Sequence, residues 1–168
     1  LPSLPLSHIT TGVLAVYDML YDEMTEEERL KIREAVIEKC INPTSTIAHS
    51  KTDVNIQLIG NMAMGLAALS FLGEEEGMAE HVQTTKDWAL WYLDKRLNSG
   101  NTEGLLYTSY SLEYLIMFAD ALARITGDTD LIDHPYIQEE YIQLVLYFLA
   151  PGAKTWANFC NAGLVPEI

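Results

Sequence analysis

The stretch from Asp53 to Leu72 is apolar almost throughout, with Asn55, Gln57 and Asn61 as its main exceptions, and it is dense in small residues: Gly60, Ala63, Gly65, Ala67 and Ala68. Its length and spacing predict a helix, and a helix apolar on nearly every side must be enclosed by others. Gly60 and Gly65 each cost about 1 kcal/mol of helix propensity relative to Ala, which close packing against neighbouring helices has to offset. A second helix of this kind is predicted from about Ser109 to Thr126, with Glu113, Asp120 and Arg124 on one narrow stripe and Gly127 as its stop. Two enclosed helices need amphipathic partners around them.

The rest of the chain supplies those partners. From Ser7 to Met24, the residues Ile9, Val13, Val16, Tyr17, Leu20 and Met24 recur at helical spacing and leave Asp18, Asp22 and Glu23 towards solvent. Thr25 and Glu28 form a capping-box pattern that opens a second helix, which should end near Ile41, before Asn42-Pro43. Residues Asn42 to Lys51 read as a loop, with His49 near its end. Beyond Gly73 and the acidic run Glu74 to Glu76, taken as a solvated helix start, a helix groups Met78, Val82, Thr85, Ala89, Tyr92 and Leu93, and Trp88 and Trp91 enlarge its packing surface. After a loop from Gly127 to Pro135, the last helix groups Tyr141, Leu144, Val145 and Phe148 and stops at Pro151-Gly152. No strand-type alternation of useful length interrupts this order. Residues 1–168 thus read as one all-α domain of three antiparallel helical hairpins. Helical hairpins forming an incomplete α/α toroid accommodate two inner helices better than a four-helix bundle does.

Composition limits the function classes. A chain of 168 residues that is 49% apolar can bury a sizeable core. With 24 acidic against 10 basic residues, its formal net charge of −14 argues against nucleic acid or an anionic membrane as partner. No run approaches the roughly 20 apolar residues of a membrane span. Cys40 and Cys160 are far apart and lack metal-type spacing, so they read as buried thiols, and no metal or cofactor is called for. Leu1 to Ser7 has no signal-peptide order, and the missing initiator Met suggests a processed or excised segment.

Three segments carry a resemblance: Y-D-M-L-Y-D-E-M-T-E-E-E-R at Tyr17 to Arg29, N-I-Q-L-I-G-N-M-A-M-G-L-A-A-L at Asn55 to Leu69, and E-G-L-L-Y-T-S-Y-S-L-E-Y-L at Glu103 to Leu115. In these residues and their order the chain resembles heparinase II/III-type and related alginate-type polysaccharide lyases. F-C-N-A-G at Phe159 to Gly163 resembles the segment leaving the late toroid hairpins of that group. The resemblance implies an N-terminal α/α toroid, β-sandwich domains elsewhere in the same polypeptide, a secreted or periplasmic setting, and an acidic polysaccharide or oligosaccharide as partner.

It also implies β-elimination on a uronate unit. Removal of the proton at C5 requires the neighbouring carboxylate to be neutralised by donors such as Asn, Gln, His or Arg. A tyrosine then acts as base, acid or both, and a phenol with reference pKa about 10 works as a base near neutrality only where donors or positive charge favour its phenolate. Tyr107 and Tyr110 lie where the lyase motif keeps its reacting tyrosine, and Asn55, Gln57 and Asn61 lie where it keeps its neutralisers. That pattern commonly pairs Asn with Asn or His; here Gln57 takes the second place, and His49 is the candidate substitute from the preceding loop. Glu103 and Trp156 complete the expected substrate-binding set.

Each residue also has a plain structural role available. The tyrosines can hold ring in core and hydroxyl at rim, Asn61 can serve a neighbouring backbone, and His8, His81 and His134 read as surface or capping residues. Two other classes of function therefore stand beside the lyase: a non-catalytic glycan-binding domain, and a helical scaffold for protein partners. A glycoside hydrolase would need paired carboxylates across a cleft, and Glu103 and Asp120 show no pairing spacing.

Overall fold

The computed structural model describes residues 3–48, 50–99 and 103–148, and these are helical with no strand among them. Seven α-helices follow one another: α1 (Leu4–Met19), α2 (Glu26–Val36), α3 (Asn42–Ala48), α4 (Asn55–Ser70), α5 (Met78–Ser99), α6 (Gly104–Thr126) and α7 (Tyr141–Phe148). Local chemistry sets their ends. The Thr25 hydroxyl accepts the Glu28 N–H at 3.3 Å while the Glu28 carboxylate accepts the Thr25 N–H at 2.9 Å, which completes the expected capping box of α2. Gly127 ends α6 at φ +77°, a left-handed position that glycine occupies without a Cβ penalty.

The connections differ from expectation in four places. The first helix stops at Met19, and Tyr21–Glu23 forms a 3-10 turn instead of continuing it. The expected loop from Asn42 is helical to Ala48: α2 passes through a π turn at Ile37–Ile41 straight into α3. Pro43 explains the wider turn, because in a regular helix its ring would meet the carbonyl of Lys39, and the π geometry relieves that clash without breaking the helix. A second π turn, Tyr136–Glu140, follows Pro135 and leads into α7. Finally, α6 begins at Gly104, more than a turn before Ser109.

The contacts arrange these helices as three hairpins in two layers. Within the first hairpin, Arg33 reaches Tyr17 and Cys40 lies beside Thr10, so α1 and the α2–α3 run are antiparallel. Arg96 bonds Asp53 while Thr85 meets Gly65, which makes α4 and α5 antiparallel. Asn55 meets Glu103 and Gly65 meets Phe118, so α4 and α6 run the same way. His8 lies against Tyr110, and further along Asp18 and Arg124 border one cleft, so α1 shares that direction. The helices α1, α4 and α6 thus form one parallel layer with α4 packed on both others, α2–α3 and α5 return on the other side, and α7 begins beside Ser109 of α6.

Helix α4 is buried along almost its whole length, as its composition requires. Gly65 marks its tightest contact, where a Cβ would come within 2.5 Å of the Thr85 methyl and 2.7 Å of the Phe118 ring. The first helix is turned differently from its apolar pattern. It buries Ser7, Thr10, Leu14 and Tyr17, while Ile9 and Val16 are 63% and 53% exposed. Two polar clamps hold the turns: Arg33 bonds Glu26, Glu74 and Glu75 at 2.7–2.9 Å, and Lys86 binds Asp128 and Asp130. Glu74 and Glu75 are therefore partners of a buried arginine, not a freely solvated helix start.

Candidate active site

Because α1, α4 and α6 are parallel, their N-terminal turns lie towards one end of the molecule, and of the candidate residues Tyr107, Tyr110, Glu103 and Asn55 stand on or beside those turns. On α6, Tyr107, Tyr110 and Tyr114 follow at intervals of three and four residues and so share one stripe of the helix. His8, on the second turn of α1, fits between two of them. Its Nε2 lies 2.6 Å from the Tyr110 hydroxyl, and its Nδ1 is hydrogen-bonded to the Tyr114 hydroxyl. The His8 and Tyr110 rings stack with centroids 5.9 Å apart, and Tyr114 meets His8 edge-on at 5.5 Å.

A neutral imidazole has one donor and one acceptor nitrogen, so it accepts from one hydroxyl and donates to the other. Burial, with Tyr114 and Glu113 nearby, pushes the Tyr110 phenol above its ordinary value. Burial does the same to Tyr114, against a lowering contribution from Thr11. Both tyrosines are therefore protonated near neutrality, and the group is a chain of proton donors around an exposed imidazole. Tyr107 is half-buried one turn nearer the helix start.

Glu103 stands immediately before α6. Its carboxylate accepts the backbone N–H of Asn55 at 2.9 Å, capping the first turn of α4 from the neighbouring hairpin, and the Arg96 guanidinium lies 4.0 Å away. Arg96 also donates to the Asp53 carbonyl at 2.7 Å, and Lys95 pairs with the Asp53 carboxylate at 3.1 Å. Burial raises the Glu103 pKa more than Asn55 and Arg96 lower it.

The remaining candidates have separate surroundings. Gln57 ties the segment before α4 to the helix: its amide donates to the Ile47 carbonyl at 3.2 Å and to the Ser50 hydroxyl at 3.1 Å, and its oxygen accepts from Thr52. Asn61 is 0% exposed, and neither polar atom of its amide has a hydrogen-bond partner among the described residues, so a polymer does not reach it in this arrangement. Asn55 is buried at the start of α4. His49 and Trp156 lie outside the described residues.

No family model, curated protein or solved structure matches the chain. The site is accordingly defined by its own geometry. Beyond Tyr114 the space between α1 and α6 opens into a cleft of about 610 Å³, floored by Leu66 and Leu69 and walled by Thr11, Asp18, Met117 and Arg124. Thr11 faces Tyr114, which links the cleft to the imidazole group. Among the described residues no cluster of His, Cys, Asp and Glu could hold a metal ion. His8, expected as a surface or capping residue, instead joins Tyr110 to Tyr114, a tyrosine not among the expected site residues. The tyrosine spacing along α6 was available, but a histidine about a hundred positions away gives no local sign that it completes the group.

Proposed function

We propose that this chain is the helical-hairpin part of an α/α toroid of the polysaccharide-lyase type, acting by β-elimination on a uronate-containing acidic polysaccharide. The observation that carries the reading is the hydrogen bond between His8 and Tyr110, which joins an imidazole to a protonated phenol in the space between α1 and α6 that opens further along into the cleft. The layer of parallel α1, α4 and α6 backed by antiparallel partners supports the toroid, since further hairpins added in the same manner would extend it.

In this reading Tyr114 turns away from Nδ1 as substrate enters, and His8 takes the C5 proton of the uronate on that nitrogen as general base while Nε2 keeps its bond to Tyr110. The electrons form the C4–C5 double bond as the bond from C4 to the glycosidic oxygen breaks, and Tyr110 gives that oxygen its proton. The protonated imidazole then returns a proton to Tyr110 along their hydrogen bond, restoring both groups. A raised phenol pKa suits Tyr110 as the acid more than as the base. Asn55, at the first turn of α4, is the neutraliser that this reading retains, because Gln57 serves the adjoining segment and Asn61 is enclosed.

The test is cleavage of uronate polysaccharides, followed by the ultraviolet absorbance of the unsaturated product in the polypeptide that carries this chain with its flanking domains. Tyr110→Phe and His8→Gln should each lower the rate by about 10²–10⁴-fold, the usual contribution of a positioned acid or base. Wild-type rates in both variants overturn the assignment. A second reading, a glycan-binding domain without turnover, is favoured by Glu103, whose carboxylate already occupies the donor at the start of α4. Binding of uronate oligosaccharides with no unsaturated product would establish it instead.

A further inference from the structure

Helix α7 reads Y-I-Q-L-V-L-Y-F, with Gln143 as its one amide side chain, yet none of its residues is buried. Ile142 and Leu146, 56% and 63% exposed, lie one turn apart on one face, and Tyr147, 82% exposed, stands at its side. The exposed Glu139 and Glu140 of the preceding π turn add acidic groups beside this face. An apolar strip of this kind on a water-exposed helix marks a contact surface.

At the other end of the row of hairpins, α1 and α2 enclose a groove of about 260 Å³ lined by apolar side chains including Leu6, Ile9, Val13 and Ile32. Its rim carries Lys31 and Lys39, two of only ten basic residues in a chain of net charge −14. Groove and strip complement each other in both respects: apolar against apolar, and lysines against Glu139 and Glu140. Lys31 now pairs with Glu27 at 2.6 Å, but both side chains are exposed and a pair of that kind contributes little, so exchanging partners costs little.

We propose that the exposed face of α7 of one copy seats in the α1–α2 groove of a second copy, joining chains end to end. The packing inside one chain supports this. The inner helices α1, α4 and α6 pack in succession, α3 packs on α5, and α5 packs on the π turn before α7, so a third hairpin set against the next copy's first hairpin continues the same row. The contact is heterologous, so each added copy presents a free groove and a free strip to the next until the row closes on itself. The proposal does not depend on the lyase reading.

Sedimentation of the purified chain tests it near physiological salt, where a Debye length of about 8 Å screens the overall repulsion but not close pairs. The weight-average mass should rise steadily with concentration. Ile9→Gln removes the groove side and Leu146→Gln the strip side; each variant alone should stay monomeric, with helix content and Tm unchanged because both positions are exposed. Mixed in equal amounts, the two variants retain one intact pair of faces and should form dimers and nothing larger. A wild-type chain that stays monomeric across the range overturns the proposal, as does continued growth of either variant alone.

Discussion

His8 is exposed on α1, yet both ring nitrogens are engaged by tyrosines from a helix about a hundred residues later. That position separates two roles for the tyrosines. Under the proposed elimination, Tyr110→Phe should abolish most product formation, whereas Tyr114→Phe leaves the His8–Tyr110 bond in place and should change it less, measured as unsaturated product per mole of protein. Glu103 offers a test independent of activity. Burial raises its folded pKa above the unfolded value, so its favourable contribution is present at pH below about 4 and is lost as pH rises through the folded value. Glu103→Gln removes that loss: its Tm should exceed wild type at neutral pH and converge with it near pH 4. At this scale the sequence was only partly legible. Tyr110 and Asn55 stood out in their segments, but the enclosure of Asn61 and the engagement of Gln57 depend on how three helices meet.

At the level of elements, strong local signals were legible and faces were not. Thr25 with Glu28 and the glycine at 127 produce the expected cap and stop because their effect is confined to one turn. Thr25→Ala should cost about 1 kcal/mol, read from denaturant unfolding. Helix α1 shows the opposite case. Its apolar residues suggest one buried stripe, but packing on α4 selects the side bearing Ser7, Thr10, Leu14 and Tyr17. Pro43 was taken as a helix end, and one wider turn was enough to carry the helix past it. Gly65, noted for its size, sits where α4, α5 and α6 meet, and the Phe118 ring and Thr85 have little room to retreat. Gly65→Ala should therefore destabilise by about 1–3 kcal/mol through overpacking, again by denaturant unfolding.

Across the whole molecule, ion pairs bind the turns to the helices. Glu26 is held below the ordinary carboxylate range chiefly by its bond to Arg33, and Asp128 chiefly by Lys86. Asp53 is also lowered: burial pushes it up, but Lys95 and Arg96 outweigh that. Groups lowered in this way contribute fully above the unfolded range near pH 4 and lose their contribution as pH falls through the folded values. Acid titration followed by circular dichroism should therefore show stability declining below about pH 4, and Lys86→Met should reduce the share lost there. The all-helical class followed from the absence of strand patterning, and the enclosure of α4 followed from a run apolar on nearly every side. The π turn at Ile37–Ile41 carries a further consequence. It holds one residue more than a regular turn. Deleting one residue there would wind the helix evenly and leave α3 facing nearly the same way, but it would press the Pro43 ring against a carbonyl of the preceding turn. The irregular turn thus works as an expansion joint, and a deletion that looks harmless in isolation would strain the entry to the second hairpin.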